Sequence, residues 1–303
     1  MGTQTGFEAL DAFFALVSFA IGAVVGSFLT VCSYRLPRNE SITNPRRSRC
    51  PKCGNTIAWY DNIPIMSWLI LGARCRHCKQ SISWQYPLTE ATTAVLFLLV
   101  FWRYGFVVAT PVYMLFSAAL VLVTFVDLTH WEIPDEVTYP GIPLGVACSL
   151  VAMFYPASGL FVAGPPSDAL VLSSLLGVLL GGGSIYLLDK LCLILLKKPG
   201  MGFGDVKLMA MLGGFFGWPS VLFILMLASV VGSVAGVTMI LAQRRRTHGE
   251  HRQERVPIET DDEREGLPEG HYLPFGPSLV FAALVVMLFG KDILGYYGPY
   301  FGI

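Results

Sequence analysis

Charge is scarce in this sequence. Only 14% of its 303 residues are Asp, Glu, Lys or Arg, against about 25% in ordinary soluble domains. What charge there is cancels, with 21 basic and 21 acidic residues. No basic excess exists to form the electrostatic footprint of a nucleic-acid binder, so no nucleic-acid partner is expected. Cysteine is sparse as well. Of seven, four form two C-x-x-C pairs, which excludes a disulfide scaffold. Cys32, Cys148 and Cys192 lie in or beside apolar runs, where a thiol behaves as a small hydrophobe. No H-E-x-x-H motif occurs, and none of the five histidines stands with a positioned Ser or Cys. That argues against a zinc peptidase or a Ser/Cys hydrolase. No glycine-rich loop of the nucleotide-binding type stands out. No small-residue cleavage site follows the first apolar run, so that run is expected to be a spanning helix and not a removed signal peptide.

Apolar mass fills the space that charge leaves. The chain is 54% hydrophobic, with mean hydropathy +0.59. Its apolar runs approach the ~20 residues that cross a bilayer as a helix. The expected fold is an all-α polytopic membrane protein of about eight spans. They lie near 13–33, 87–101, 107–126, 137–154, 169–196, 205–216 and 220–241, with an eighth ending near Gly290. The fifth is long enough to tilt, or to loosen at Gly181-Gly182-Gly183. Gly22 and Gly26 in the first span form a small-xxx-small face suited to close helix packing. No Lys or Arg precedes the first span, whereas Arg35, Arg38, Arg46, Arg47, Arg49 and Lys52 follow it. The positive-inside rule then places the N-terminus outside and the loop 35–86 in the cytoplasm. The expected organisation is a first span in 1–34, a loop domain in 35–86 and a membrane core in 87–303. Residues 243–272 are charged, mixed in sign and without apolar period, and read as a flexible cytoplasmic loop.

The loop 35–86 carries Cys50-Pro51-Lys52-Cys53, then 21 residues, then Cys75-Arg76-His77-Cys78. Two thiolate pairs at such spacing suit a four-cysteine tetrahedral zinc site at Cys50, Cys53, Cys75 and Cys78. Four thiolates leave no open coordination position, so the zinc would be structural and would fold a loop poor in apolar mass. His77 reads as a solvated side chain.

The chemistry rests on carboxylates. Asp127 ends the third span, and Asp205 begins the sixth, after the glycine-rich turn Gly200-Met201-Gly202-Phe203-Gly204. The topology puts both at the same cytoplasmic depth. Taken singly, each reads equally well as a helix-end residue. Together in a partly dry site they cannot both ionise easily, so one keeps its proton. That is the requirement of aspartic-type peptide hydrolysis, in which the ionised member activates water and the neutral member polarises the carbonyl. Gly202 and Gly204 would shape the site by letting backbones approach closely. A transporter using the aspartates as an ion relay is the competing class. Against it stand the lack of an inverted repeat and a cysteine loop with no role in transport.

The residues in combination resemble the type IV prepilin leader peptidases, membrane aspartyl proteases with a G-x-G-D signature. The resemblance runs through Gly26-Ser27-Phe28-Leu29, Tyr34-Arg35-Leu36-Pro37, the paired C-x-x-C loop enclosing Asp61-Asn62-Ile63-Pro64, and Tyr86-Pro87 with Glu90. It continues through Asp127, Ile133-Pro134-Asp135, Gly200 to Lys207, and Pro274-Phe275-Gly276-Pro277. Thr129 stands where the family often has a second acidic residue. The resemblance implies Asp127 and Asp205 as the catalytic dyad. It implies cleavage of the basic leader of prepilins or pseudopilins after a glycine, at the cytoplasmic face of the bacterial inner membrane. Many bacterial members then N-methylate the new N-terminus from S-adenosylmethionine, and the cysteine loop is typical of those bifunctional members. Glu90, Asp61 and Asn62 are the candidates for methyl-donor contacts. A peptidase without the second activity stays open, as does a presenilin-like protease cutting within the bilayer.

Overall fold

In a computed structural model, the described residues are 4–44, 48–50, 52–163, 169–197, 201–249 and 274–301. Nine α-helices are found among them, and no strand. They are α1 (Gln4–Arg35), α2 (Met66–Ile70), α3 (Gln85–Tyr104), α4 (Ala109–His130), α5 (Asp135–Phe154), α6 (Leu170–Leu196), α7 (Phe203–Phe216), α8 (Trp218–Gly249) and α9 (Gly276–Phe301). Six are long and apolar enough to cross a membrane: α1, α4, α5, α6, α8 and α9. The other two long elements are α3, whose first half is polar, and α7, which has 14 residues. The helix α8 continues to Gly249, seven residues into the predicted loop 243–272, although its apolar span ends at Leu241. The rest of that loop lies outside the described residues.

Two packing groups meet at α4. On one side α1 lies along α3, and both touch α4; on the other α7 is held between α5 and α6, with α8 and α9 beside it. Glycine sets the closeness of both groups. A Cβ on Gly22 would fall 2.7 Å from Ala94 Cα, and one on Gly26 would fall 2.6 Å from Glu90 Cα. The small-residue stripe therefore lies against the α3 backbone, where dispersion contacts replace the hydrophobic drive that lipid removes. The glycine triplet of α6 does not loosen its helix, which runs unbroken from Leu170 to Leu196. Gly181 instead abuts α7, its Cβ position 2.5 Å from Met209 O.

The buried core joins α4, α7 and α9, through Leu120, Val123, Leu208, Leu212, Leu279 and Ala283 among others. Short contacts then fix the segments that frame the site. Arg35, buried, donates to Ser41 O (2.8 Å) and Ile42 O (3.0 Å), folding the chain back after α1. Asp189 of α6 accepts the N–H of Met201 (3.3 Å) at the glycine-rich turn. Gly200 itself lies outside the described residues. Gly217 alone joins α7 to α8, at φ +79°, a region open to glycine.

Candidate active site

Asp127 does not end its helix. α4 runs one turn further, to His130, and closes where the N–H of Trp131 (φ +59°) bonds back to Asp127 O (3.0 Å). The carboxylate thus faces inward from the last full turn and is only 5% exposed. Its Oδ2 is the one buried side-chain oxygen or nitrogen without a hydrogen-bond partner among the described residues. Leaving such a group bare is costly. Asp205 is 9% exposed and lies in the first turn of α7, not at the cap, which is Gly202. Its N–H donates to Gly202 O (3.1 Å).

Both carboxylates line one open cleft of about 470 Å³. Its walls are the exit of α1 (Leu36, Pro37), the turn between α4 and α5, and the start of α7. Lys207, one helical turn beyond Gly204, forms an ion pair with Asp135 at the start of α5, and its cation lies 5.1 Å from the Tyr139 ring. The pair ties the element bearing Asp205 to the turn that follows Asp127. Lys207 and Asp135 were in the sequence motifs, but with no role, because nothing local says that they meet.

The glycines of the turn have different neighbours. A Cβ on Gly204 would lie 3.0 Å from Ile133 Cβ, so Gly204 packs against the α4–α5 turn and not toward Asp127. Gly202 has ordinary backbone angles (φ −75°, ψ 150°), and a Cβ there would be in ordinary van der Waals contact with Asp205 Oδ2, at 3.8 Å. The glycine that meets Asp127 is Gly276, at the start of α9. A Cβ there would lie within contact distance of Oδ2 and 3.1 Å from Cγ. Sequence reading quoted Gly276 without a task, since the approach is made by a helix far along the chain.

The four loop cysteines come together. Their Sγ atoms all lie within 4.8 Å of one another, so they could hold a metal ion. Cys50 and Cys78 Sγ are 3.9 Å apart. Zn–S bonds of 2.3 Å in a tetrahedron require about 3.8 Å. Two equivalent knuckles create the set. The N–H of Cys50 bonds to Asn55 O and that of Gly54 to Cys50 O; likewise Cys75 bonds to Gln80 O and Lys79 to Cys75 O. Gly54 and Lys79, each just after a second cysteine, have positive φ. The N–H groups of Cys78 and then His77 draw the Cys75 thiol down to about 7, so its thiolate is available near neutrality. His77 is exposed.

The three methyl-donor candidates are not brought together at the aspartate cleft. Glu90 is buried and accepts the N–H of Ile65 (2.7 Å), the residue with φ +62° that opens α2. Asp61 accepts two bonds from Arg76 (2.7 and 2.6 Å), and Asn62 is exposed. These are bonds that fasten the cysteine loop.

The sequence pattern of the bacterial peptidase A24 N-terminal domain matches residues 20–104, from α1 through the cysteine knuckles to the end of α3. That of the type IV leader peptidase family matches residues 114–237, which hold both aspartates. A prepilin leader peptidase/N-methyltransferase from Myxococcus xanthus (strain DK1622) is 34% identical, over 91% of this chain and 90% of that relative. The chain belongs to the type IV leader peptidase family. Proteins with the same name from Pseudomonas aeruginosa (31% identical, 95% of each chain) and Neisseria gonorrhoeae (34%, 80% of this chain and 88% of that one) are similar too. No solved structure matches at a significant level. In this leader peptidase the second pattern ends within α8, so Gly276 and its contact with Asp127 lie beyond it.

Proposed function

We propose that this leader peptidase cleaves the basic leader of type IV prepilins or pseudopilins after a glycine, with Asp127 and Asp205 as its dyad. It then N-methylates the new N-terminus. The observation that carries the reading is the partnerless, buried Oδ2 of Asp127 in a cleft shared with Asp205. A structural carboxylate would have its lone pairs satisfied. A catalytic one has them free for water or for a scissile carbonyl. In the reaction the ionised aspartate takes a proton from water, whose oxygen attacks the carbonyl carbon. The protonated partner donates to the carbonyl oxygen. Collapse of the tetrahedral intermediate returns the proton to the leaving amine, the N-terminus of the mature pilin.

Cys50, Cys53, Cys75 and Cys78 would hold a structural zinc that folds the loop domain 35–86, between the first span (1–34) and the peptidase core (87–303). When bound, S-adenosylmethionine supplies an electrophilic methyl group. The charge asymmetry around the spans supports a multi-pass protein of the inner membrane. Its N-terminus is then outside, and the cleft faces the cytoplasm, where a basic leader is presented.

The test is co-expression with a prepilin substrate, read by gel mobility. Asp127→Asn and Asp205→Asn are each expected to remove cleavage while the protein still inserts. Leader removal by either variant would sink the dyad. Mass spectrometry of the processed pilin reads the second activity, and an unmodified amine with the donor present would reduce the protein to a peptidase.

A further inference from the structure

A second cavity of about 260 Å³ opens beside the aspartate cleft, and one wall serves both. At the end of α1, Leu36 and Pro37 face the cleft while Tyr34 and Arg38 face the second cavity. At the end of α4, Asp127 faces the cleft while Thr129 and His130 face the second cavity. The third side comes from Tyr86 and Thr89 in the first turns of α3, directly after the cysteine loop.

The two cavities have opposite electrostatic character. Asp127, Glu132, Asp135, Glu136 and Asp205 line the cleft, whereas no acidic residue lines the second cavity. Arg38 is there, and among the described residues no carboxylate pairs with it. Its Nη1 donates to Tyr34 O (2.9 Å) and faces His130 Nε2 (3.4 Å). The rest of its donor fork is left for a ligand. His130 adds no charge. The Thr129 hydroxyl donates to Phe125 O (2.7 Å) and so accepts from His130 Nδ1–H (2.7 Å), leaving Nε2 as an acceptor toward Arg38. Thr89 donates its hydroxyl proton to Gln85 O (2.9 Å) and presents only lone pairs to the cavity. The Arg38 guanidinium lies over the Tyr34 ring, 4.1 Å from its centroid, while Tyr86, 36% exposed, leaves ring surface open to a flat aromatic group.

An anion alone would need the arginine but not the rings, and an apolar tail would need the rings but not the arginine. S-adenosylmethionine combines an aromatic base, hydroxyls that can donate and a carboxylate; its ammonium can donate to the lone pairs that Thr89 presents, and its sulfonium suits an aromatic face. We infer that this second cavity is the methyl-donor site, with Arg38, seated over the Tyr34 ring, on the carboxylate and the Tyr86 ring against the adenosyl part. It rests on the methyltransferase half of the reading above. The new N-terminus would then need to cross only the last turn of α4 between cleavage and methylation. Because Tyr86 directly follows the cysteine loop, this placement also gives the knuckles a part in shaping the donor site.

Equilibrium binding on the full-length protein in lipid nanodiscs tests the assignment with two probes. One is S-adenosylhomocysteine. The other is 5′-methylthioadenosine, which keeps the base and thioether but lacks the carboxylate. Arg38→Ala should weaken S-adenosylhomocysteine about tenfold or more, as expected for a lost charge-assisted pair. It should bind methylthioadenosine as the wild type does, which also shows that the variant is folded. Tyr86→Ala should weaken both. Equal S-adenosylhomocysteine affinity in the wild type and both variants would place the donor elsewhere and overturn the inference. So would Arg38→Ala losing only the binding of short-chain phosphatidylglycerol, which would give the cavity to a lipid phosphate. A wild-type protein that binds no S-adenosylhomocysteine and methylates no pilin would instead remove the methyltransferase reading itself.

Discussion

Gly276→Ala adds one methyl group hard against the Asp127 carboxylate. The new carbon would lie 3.1 Å from Asp127 Cγ and closer to Oδ2, where carbon atoms ordinarily keep about 3.5–4.0 Å. Asp127 must then retreat by about 0.4–0.9 Å, or the start of α9 must move away by as much. On the other side stands Ile133 Cδ1, 3.5 Å from the same methyl, so neither direction is free. Overpacking of this kind costs about 1–3 kcal/mol of stability, which leaves the protein inserted and folded. A catalytic group misplaced by about 1 Å loses about 10²-fold in rate. The expected fall in kcat is therefore about 10- to 100-fold, or about 1.4–2.7 kcal/mol of barrier. KM should move little, because Gly276 does not line the cleft that receives the substrate. The assay is single-substrate leader cleavage by purified protein, with rate and half-saturation fitted separately beside a thermal unfolding curve. Wild-type kcat in Gly276→Ala would refute the reasoning. A loss confined to KM would refute it equally, since it would place Gly276 in substrate binding.

Three further expectations follow from the loop and the glycine-rich turn. Metal analysis should find zinc near one equivalent in the wild type and none in Cys50→Ser plus Cys53→Ser; fully active wild-type protein without metal would count against a structural site. Arg76 holds the Asp61 carboxyl below its usual range, so its contribution to loop stability is full above the unfolded-chain value of about 3.9 and fades as pH falls through the lower folded value. Amide protection relative to the unfolded chain at the same pH should therefore fall across residues 48–86 below about pH 4, more steeply in the wild type than in Asp61→Asn. Gly204→Leu should push Ile133, 3.0 Å from the added Cβ, into the cleft and lower kcat/KM about tenfold or more with both aspartates intact; cleavage assays showing no loss would leave Gly204 a dispensable spacer.

Apolar run lengths located the helices, because a bilayer demands near-continuous hydrophobic stretches whatever their partners. The cysteine spacing was legible for a similar reason: each knuckle closes on itself within six residues, from Cys50 to Asn55 and from Cys75 to Gln80. Helix rotation was not legible. It decides that Gly204 meets Ile133, that Gly276 meets Asp127, and that Gly177, Gly181 and Gly182 of α6 lie against α7 and do not break their own helix. Each is a contact between segments brought together only by tertiary packing, and glycine has no side chain whose chemistry would advertise a partner. Glu90 and Asp61 illustrate the converse. A carboxylate near a membrane span draws attention as a reagent, yet these two accept bonds from Ile65 and Arg76 of the loop.

The 14 residues of α7 rise about 21 Å along the helix axis. A hydrocarbon layer is about 30 Å thick. Gly217 turns the chain into α8 at one end, and the glycine-rich turn bounds the other, so α7 has no spare turns with which to make up the difference. α7 is not itself one of the apolar spans: Leu208 to Phe216 are buried, and α5 and α6 wall it, so these neighbours and not the bilayer set the depth of Asp205 in its first turn. The proposed dyad is then expected to keep its depth when bilayer thickness changes, because the longer helices around α7 meet the lipid in its place.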